Sequence, residues 1–245
     1  MQEESVPAVP KKASTLVLVR PAHAGVFEIF MTRRPREMRF LGGFFVFPGG
    51  AVKGADASPA MLDLCRGLSP ADARARLGDE LSAEDAMGHR VAAIRELYEE
   101  VGVLLCVVRE NGAAVAPEAW ERVVARRTAL LGREVSFPEL LTSEGLCCDV
   151  GKLVYFYHRT TPERYAMRFD TRFFLAVLPE GQTPLEVSEE VTESLWITPA
   201  EGLQRAERGR MAIIPPTLAT LRTLAELGTW DALCRDFALP LPENE

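Results

Sequence analysis

Three glutamates are spaced so that a helix would bring their carboxylates together. Each residue of an α-helix turns by about 100°, so Glu96, Glu99 and Glu100, at positions i, i+3 and i+4, share one face. Carboxylates that close repel one another unless a positive group neutralises them. Taken alone, the pattern is more typical of a solvated acidic face on a surface helix. The neighbouring residues therefore decide whether these glutamates do chemistry.

An apolar stripe indicates the helix that positions the glutamates. The side chains on the opposite face are expected to pack into the core: Val91, Ile94, Leu97, Tyr98 and Val101. Gly102 predicts the end of a helix over residues 89–100, and residues 103–108 predict an apolar strand that leaves it. The acidic face is therefore expected on an anchored helix, opposite the core.

Residues 95–103, with the sequence RELYEEVGV, resemble the signature REUxEExGU of the Nudix hydrolases, where U is an apolar residue. The signature also has an upstream glycine that is followed, after five residues, by an acid. Gly50 and Asp56 match this element, with Asp in place of the usual Glu. The family has seven residues between the acid and the arginine, whereas this chain has residues 57–94 there. An insertion in the preceding loop need not disturb the helix face.

The resemblance implies a metal site on the acidic face. It implies that Glu96, Glu99 and Glu100 bind Mg²⁺ or Mn²⁺, which prefer carboxylate oxygens, together with the carbonyl of Gly50. Arg95 is expected to orient one of these carboxylates, and the four side chains form the expected catalytic set. The bound cations would neutralise a diphosphate and polarise an attacking water.

A second motif concerns the substrate. Residues 30–50 are similar to the accessory motif LLTxR(S/A)xxxRxxxGxxxFPGG of Nudix coenzyme A diphosphatases, of the peroxisomal type and its bacterial relatives. Phe30, Met31 and Pro35 depart from the motif. The matching residues, expected to bind substrate, are Thr32, Arg34, Arg39, Gly43, Phe47, Gly49 and Gly50. Guanidinium groups bind phosphates through two parallel hydrogen bonds. The alternative is that these arginines only make the loop soluble.

The sequence leaves several readings of the function open. The leading one is hydrolysis of coenzyme A or acyl-coenzyme A to 3',5'-ADP and (acyl-)4'-phosphopantetheine. One alternative is a diphosphatase for ADP-ribose, nucleotide sugars or dinucleotides. Another is a nucleotide sensor without catalytic activity, although the presence of all three glutamates argues against a sensor. Glu189, Glu190 and Glu193 lie in a predicted loop where some relatives place a general base, and the sequence does not choose among them.

The remaining pattern predicts an α/β fold, a Nudix-type α/β/α sandwich around a mixed sheet, with a peripheral helical insertion over 57–88. We expect a disordered lead-in over 1–12 and one domain over 13–240. Strands are predicted over 15–19, 26–32, 44–47, 152–160 and 172–178. Helices are predicted over 117–131, 199–208 and 215–237, the last of them broken near Gly228.

The composition narrows the classes of molecule that the protein is expected to bind. A net charge of -7 argues against binding of a nucleic-acid polymer, and no apolar run approaches a membrane span, so a small nucleotide diphosphate is the expected partner. Five cysteines without a CxxC pair and a polar N-terminus without a signal sequence favour a reducing cytoplasm. Association into a homodimer is left open.

Overall fold

A mixed β-sheet with helices on both faces forms the centre of the fold. The computed structural model describes residues 8–38, 40–78 and 80–239. Within these ranges the strands are β1 Lys11–Pro21, β2 Phe27–Arg33, β3 Phe45–Val46, β4 Gly49–Ala51, β5 Cys65–Arg66, β6 Cys106–Val108, β7 Leu146–Asp149, β8 Val154–Thr160, β9 Phe169–Val177 and β10 Glu193–Ile197. Arg39, which we expect to bind substrate, lies outside the described residues.

The helices begin and end at residues that favour these positions. They are α1 Pro59–Leu62, α2 Pro70–Leu77, α3 Ala83–Val101, α4 Pro117–Ala125, α5 Arg127–Leu131, α6 Phe137–Ser143, α7 Pro199–Glu207, α8 Pro215–Leu227 and α9 Trp230–Phe237. Several start with proline, whose missing N–H has no partner in a first turn anyway. In the part of the chain that is described, no helix has the length and apolar content needed to span a membrane.

Strand β1 lies in the middle of the main sheet. The strand order is β10-β2-β1-β9-β8, with β3 beside β2 and β4 beside β1. Strands β1 and β9 are parallel, and the other neighbours are antiparallel. Because helices cover both faces, β1 is apolar on both: Leu16 and Leu18 alternate with Val17 and Val19, and all four are fully buried. A smaller sheet has the order β5-β7-β6.

Two hydrophobic clusters hold the layers together. Leu16 and Leu18 pack in the cluster that includes the apolar stripe of α3, and Val17 and Val19 pack in the cluster that includes α8 and α9. The predicted α/β/α arrangement around a mixed sheet is thus confirmed, and so is the break near Gly228 between α8 and α9.

The lead-in and the insertion differ from their predictions. Lys11 and Lys12 belong to β1, because they pair in register with β9. Residues 57–88 are not wholly helical, since they contain β5 and the first turns of α3, which begins at Ala83 instead of residue 89. They are not peripheral either, because their apolar side chains enter the α3 cluster, among them Met61, Leu64 and Leu77.

Other elements were missed or divided. The helix predicted over 117–131 is two helices, α4 and α5, which meet at Arg126. Helix α6 and strands β7 and β10 were not predicted, and Glu193, which we placed in a loop, is the first residue of β10. These elements are short, and short segments carry too few residues to display a period.

A buried histidine on α3 makes the stability of the fold depend on pH. His89 is fully buried, with Nδ1 3.0 Å from Ser14 Oγ. Burial, and next the charge of Arg172, lower its pKa from 6.5 to about 4. As the pH drops, His89 therefore binds a proton near pH 6.5 in the unfolded chain but only near pH 4 in the folded chain. The free energy of unfolding consequently falls between these two pH values.

His89→Gln is expected to remove that part of the pH dependence. The free energy of unfolding of the wild type should fall by about 3 kcal/mol more than that of the variant between pH 7 and pH 4. Urea unfolding at a series of pH values measures the difference, with His23→Gln as the control because His23 is exposed. Parallel curves for the wild type and His89→Gln would contradict a neutral buried His89.

Candidate active site

Helix α3 is fixed at both ends and along one side. Ser82 caps its N-terminus by accepting the N–H of Asp85 at 3.0 Å. Gly102 ends it in the left-handed conformation, with φ 73°, and donates its N–H to the carbonyl of Tyr98 at 3.0 Å. The apolar stripe predicted from the sequence is fully buried: Val91, Ile94, Leu97, Tyr98 and Val101. The acidic face is therefore held in one orientation.

The guanidinium of Arg95 organises the acidic face. Arg95 Nε and Nη2 donate to the two carboxylate oxygens of Asp56 at 2.8 and 2.9 Å, and Nη2 also donates to the carbonyl of Ala51 at 3.0 Å. Its Nη1 donates to Glu96 Oε1 at 2.6 Å and to Glu99 Oε2 at 3.0 Å. Burial alone would lower the pKa of Arg95, but these carboxylates hold that pKa above its usual value. Arg95 is thus fully engaged and always charged.

The insertion leaves Asp56 beside helix α3. Asp56 lies in the 3₁₀ helix Gly54–Ala57, is 2% exposed, and accepts the N–H of Lys53 at 2.8 Å as well as the bidentate bonds of Arg95. The contact with Arg95 spans 39 positions of sequence. Asp56 is therefore a positioning residue for Arg95, and through it for Glu96 and Glu99.

The glycine turn after Phe47 brings main chain against the first glutamate. A Cβ on Gly50 would lie 2.5 Å from the carboxyl carbon of Glu96, and one on Gly49 would lie 2.4 Å from the carbonyl oxygen of Ser14. Neither position therefore accepts a larger residue without displacement. Pairing of β4 with β1 places Gly50 opposite Ser14. The predicted metal-binding carbonyl of Gly50 thus belongs to a residue packed against Glu96.

Burial gives the glutamates unusual electrostatics. Glu100 is 4% exposed, and burial, followed by the charge of Glu96, raises its pKa well above the ordinary value. Burial also raises the pKa of Glu96. Glu99 is more accessible and lies 3.4 Å from Lys53 Nζ. Confining these carboxylates in one place is costly unless additional positive charge stabilises the ionised forms.

The donor set fits a divalent cation. Three cationic groups, those of Arg95, Lys53 and the nearby Arg34, lie among four carboxyl groups, those of Asp56, Glu96, Glu99 and Glu100. All these donors are oxygens, as Mg²⁺ and Mn²⁺ prefer. Over residues 8–38, 40–78 and 80–239, no three acidic, histidine or cysteine side chains are already arranged as the ligands of a metal ion. Glu96 and Glu99 instead accept hydrogen bonds from Arg95.

The three candidates for a general base, Glu189, Glu190 and Glu193, have different surroundings. Glu189 pairs with Arg127 Nη2 at 3.0 Å, and its pKa is lowered, first by a backbone hydrogen bond and then by Arg127. Glu193 pairs with Arg33 Nη1 at 3.2 Å. The charge of Glu190, in contrast, acts on the buried Glu100 and raises its pKa. Of the three, Glu190 is thus the exposed carboxylate whose charge acts on Glu100.

The residues of the substrate motif fall into two groups. Thr32 is buried and donates to the carbonyl of Val46 at 3.4 Å, and Gly43 has φ 78° and donates its N–H to the carbonyl of Arg34 at 3.0 Å. These two residues shape the loop. The other four described residues line a cavity: Arg34, Phe47, Gly49 and Gly50. The structure thus brings one arginine to the same cavity as the glycine turn, which packs against Glu96 of α3.

The cavity, of about 570 Å³, is both basic and apolar. Arg34, Arg159 and Arg164 line it, and among its described lining residues none is acidic, although the chain as a whole carries a net charge of -7. Much of the remaining wall is apolar and includes Phe40, Tyr165, Met167, Phe169, Phe173 and Ile214. Such a cavity suits a ligand that combines phosphate groups with large apolar or aromatic parts.

One part of this wall was not predicted from the sequence. Arg159, Arg164, Tyr165 and Met167 come from β8 and the loop to β9, far along the chain from the signature. Tyr165 and Met167 are about half exposed, at 50% and 48%. Large side chains in the segment between two predicted strands were the available signal.

The chain is similar to known proteins over most of its length. The model of the family described as the NUDT19 Nudix domain matches residues 10–224. The protein named acyl-coenzyme A diphosphatase NUDT19 is 28% identical in Gallus gallus, covering 84% of this chain and 63% of that protein. The protein of the same name in Homo sapiens is 26% identical, covering 86% and 64%. The chain spans between 59% and 64% of the length of such relatives.

A solved structure shares the fold over nearly its full length. The crystal structure of a Nudix hydrolase from Alicyclobacillus acidocaldarius is 29% identical in sequence and superposes with a TM-score of 0.73. The match covers 96% of this chain and 99% of the other. The overall fold is therefore found in a solved protein of similar length.

Proposed function

Since the chain belongs to the Nudix hydrolases, in the family of the NUDT19 Nudix domain, we propose that it hydrolyses the diphosphate linkage of coenzyme A or acyl-coenzyme A. The products are 3',5'-ADP and 4'-phosphopantetheine or its acyl derivative. The observation that carries this proposal is the cavity beside Gly50, which combines three arginines with an apolar wall. Coenzyme A likewise combines three phosphates with adenine and a long pantetheine arm, so its charges and its apolar parts both find partners.

The Nudix family generally uses a divalent metal, and we propose Mg²⁺ or Mn²⁺ here. Glu96, Glu99 and Glu100, with the carbonyl of Gly50, are the residues that would hold it. When bound, the cation supplies charge neutralisation at the diphosphate and acidification of an attacking water. Arg95 and Asp56 fix the carboxylates of Glu96 and Glu99. These side chains are then already ordered before the reaction, so the barrier does not include the entropy of ordering them.

We assign proton acceptance from the attacking water to Glu190. Glu189 is committed to Arg127, and its lowered pKa makes it a weaker base, while Glu193 is committed to Arg33 at the edge of the sheet. Glu190 acts electrostatically on the cluster that includes Glu100. A base in this position accepts the proton close to the carboxylates that attract the cation.

Glu190→Gln is therefore expected to lower kcat for coenzyme A by about a hundredfold or more, the usual contribution of a general base. The amide keeps the size of the side chain but accepts no proton. Steady-state kinetics should show little change in KM. Glu193→Gln is the matched control and should retain near wild-type kcat; a larger loss in the control than in Glu190→Gln would reverse the assignment.

A substrate panel tests the proposed activity. Purified protein with Mg²⁺ or Mn²⁺ is compared on coenzyme A, octanoyl-coenzyme A, 3'-dephospho-coenzyme A, ADP-ribose, a nucleotide sugar and a dinucleotide. We expect kcat/KM for the first two to exceed the others by about tenfold or more, the value of one charge-assisted hydrogen bond. Preference for ADP-ribose, the sugar or the dinucleotide would overturn the coenzyme A assignment, and binding without cleavage would favour a sensor.

Two further points concern the cellular compartment and the oligomeric state. We propose a reducing compartment, the cytoplasm, because the five cysteines are free thiols in the structure and lack the spacing of a disulfide framework. Whether the chain forms a homodimer stays open. Light scattering of the purified protein decides the second point.

A further inference from the structure

Three cysteines lie side by side across the smaller sheet. Cys148 of β7 is in register with Cys65 of β5 on one side and with Cys106 of β6 on the other. Side chains in register on neighbouring strands project from the same face, so the sulfur of Cys148 lies between the other two. Cys147, the preceding residue, projects from the opposite face because strand residues alternate.

The hydrogen bonds of β6 and β7 define the type of pairing at Cys106 and Cys148. The N–H of Asp149 donates to the carbonyl of Leu105 at 3.0 Å, which makes Leu105 and Asp149 a hydrogen-bonded pair. Such pairs alternate with non-hydrogen-bonded pairs in an antiparallel ladder, so Cys106 and Cys148 form a non-hydrogen-bonded pair. Their Cα atoms are then about 4.5 Å apart, within the range of about 4.4 to 6.8 Å that a disulfide requires.

Access to this row of thiols is from one side. Cys65 is half-buried and donates its S–H to the carbonyl of Met61 at 3.3 Å, whereas Cys106 and Cys148 are buried. Burial raises the pKa of Cys65 to about 12, so its thiol is protonated at neutral pH and reacts slowly. A small oxidant nevertheless meets Cys65 before it meets the other two.

We propose that Cys65, Cys106 and Cys148 form an oxidisable site at which a peroxide, entering at Cys65, produces a Cys106–Cys148 disulfide. The peroxide transfers one oxygen to the Cys65 thiol, giving a sulfenic acid and releasing water. The Cys148 thiol displaces hydroxide from that sulfur, its proton completes a second water, and a Cys65–Cys148 disulfide forms. Cys106 then attacks Cys148, its proton passes to the Cys65 sulfur, and Cys65 leaves as a thiol.

With hydrogen peroxide, the net change is the oxidation of two thiols to a disulfide and the reduction of one peroxide molecule to two waters. The last step moves the bond from a parallel strand pair to the antiparallel pair whose Cα separation suits a disulfide. The inference does not depend on the proposed diphosphatase activity.

Peptide mapping of the oxidised full chain tests the proposal. Folded protein is exposed to hydrogen peroxide, quenched by alkylation in acidic denaturant and digested without reduction. The expected result is one cross-linked peptide pair that contains Cys106 and Cys148, with Cys147 and Cys234 alkylated. Oxidation that stops at Cys65 as sulfinic acid, with Cys106 and Cys148 still alkylated, would overturn the proposal.

Variants separate the steps. Cys106→Ser removes the final acceptor, so the Cys65–Cys148 cross-link should accumulate instead. Cys65→Ser should slow cross-linking by about tenfold or more, since the remaining two thiols are buried; an unchanged rate would refute entry at Cys65. Cys234→Ser is the control, because Cys234 is a buried cysteine outside the row, and it should leave product and rate unchanged. The same single pair formed from protein oxidised in guanidinium would show that the sheet register is not the cause.

Discussion

Replacing Glu99 by glutamine is expected to reduce turnover of coenzyme A by about a thousandfold, which corresponds to about 4 kcal/mol of lost transition-state stabilisation. Glutamine keeps the shape of the side chain and an oxygen that accepts the bond from Arg95 Nη1, now 3.0 Å from Glu99 Oε2. It removes one negative charge from the cluster that is expected to hold the cation. The fold should tolerate the change because glutamine has the same size and keeps this hydrogen bond.

The same variant should bind the metal more weakly, which a measurement independent of turnover detects. Electron paramagnetic resonance of free Mn²⁺ in titrations should show a lower affinity for Glu99→Gln than for the wild type. Glu84→Gln provides the matched control, since Glu84 is an exposed glutamate in the first turn of the same helix. Wild-type turnover and Mn²⁺ affinity in Glu99→Gln, with unchanged thermal melting, would remove Glu99 from the metal site.

Replacing Arg95 by alanine is expected to destabilise the fold by about 3 to 5 kcal/mol, because it leaves the buried carboxylate of Asp56 without its partner. The side chains of Arg95 and Asp56 are both 3% exposed, so water does not replace the two bonds at 2.8 and 2.9 Å. Glu96 and Glu99 lose the same partner. Chemical denaturation gives the loss, and activity should fall together with stability.

Two further variants isolate the cause. Arg205→Ala breaks an exposed pair with Glu201 and should cost about 1 kcal/mol or less. The double variant Arg95→Ala with Asp56→Ala should lose less than the sum of the two single losses, because no carboxylate is then left buried alone. A loss for Arg95→Ala no larger than that for Arg205→Ala would contradict the positioning role of Arg95.

The catalytic helix could be predicted because its signal is local. The spacing of Glu96, Glu99 and Glu100, the apolar stripe and Gly102 all lie within one helix, and the structure places them as the periodicity requires. The start of α3 was predicted too late, because the residues before His89 were assigned to an insertion. The structure shows that this insertion contributes core side chains, such as Met61 and Leu77.

Contacts between distant segments could not be predicted in the same way. No periodicity relates Arg159 or Arg164 to the glycine turn, since only the pairing of β9 with β1 brings their hairpin to the cavity. The choice of Glu190 over Glu189 and Glu193 depends on side-chain pairing within one loop and strand. Strands β5 and β6 have two and three residues, too few for an alternating pattern, so the row of cysteines was invisible before the register was known.

Hydrolysis of coenzyme A by metal-depleted protein, followed as Mg²⁺ or Mn²⁺ is restored, tests the central claim most directly. Protein treated with a chelator should leave coenzyme A intact. Addition of either cation should release 3',5'-ADP and 4'-phosphopantetheine in equal amounts, which mass spectrometry identifies. Cleavage that proceeds without metal, or the absence of cleavage of coenzyme A and every other diphosphate in the presence of both cations, would contradict a metal-dependent diphosphatase built on Glu96, Glu99 and Glu100.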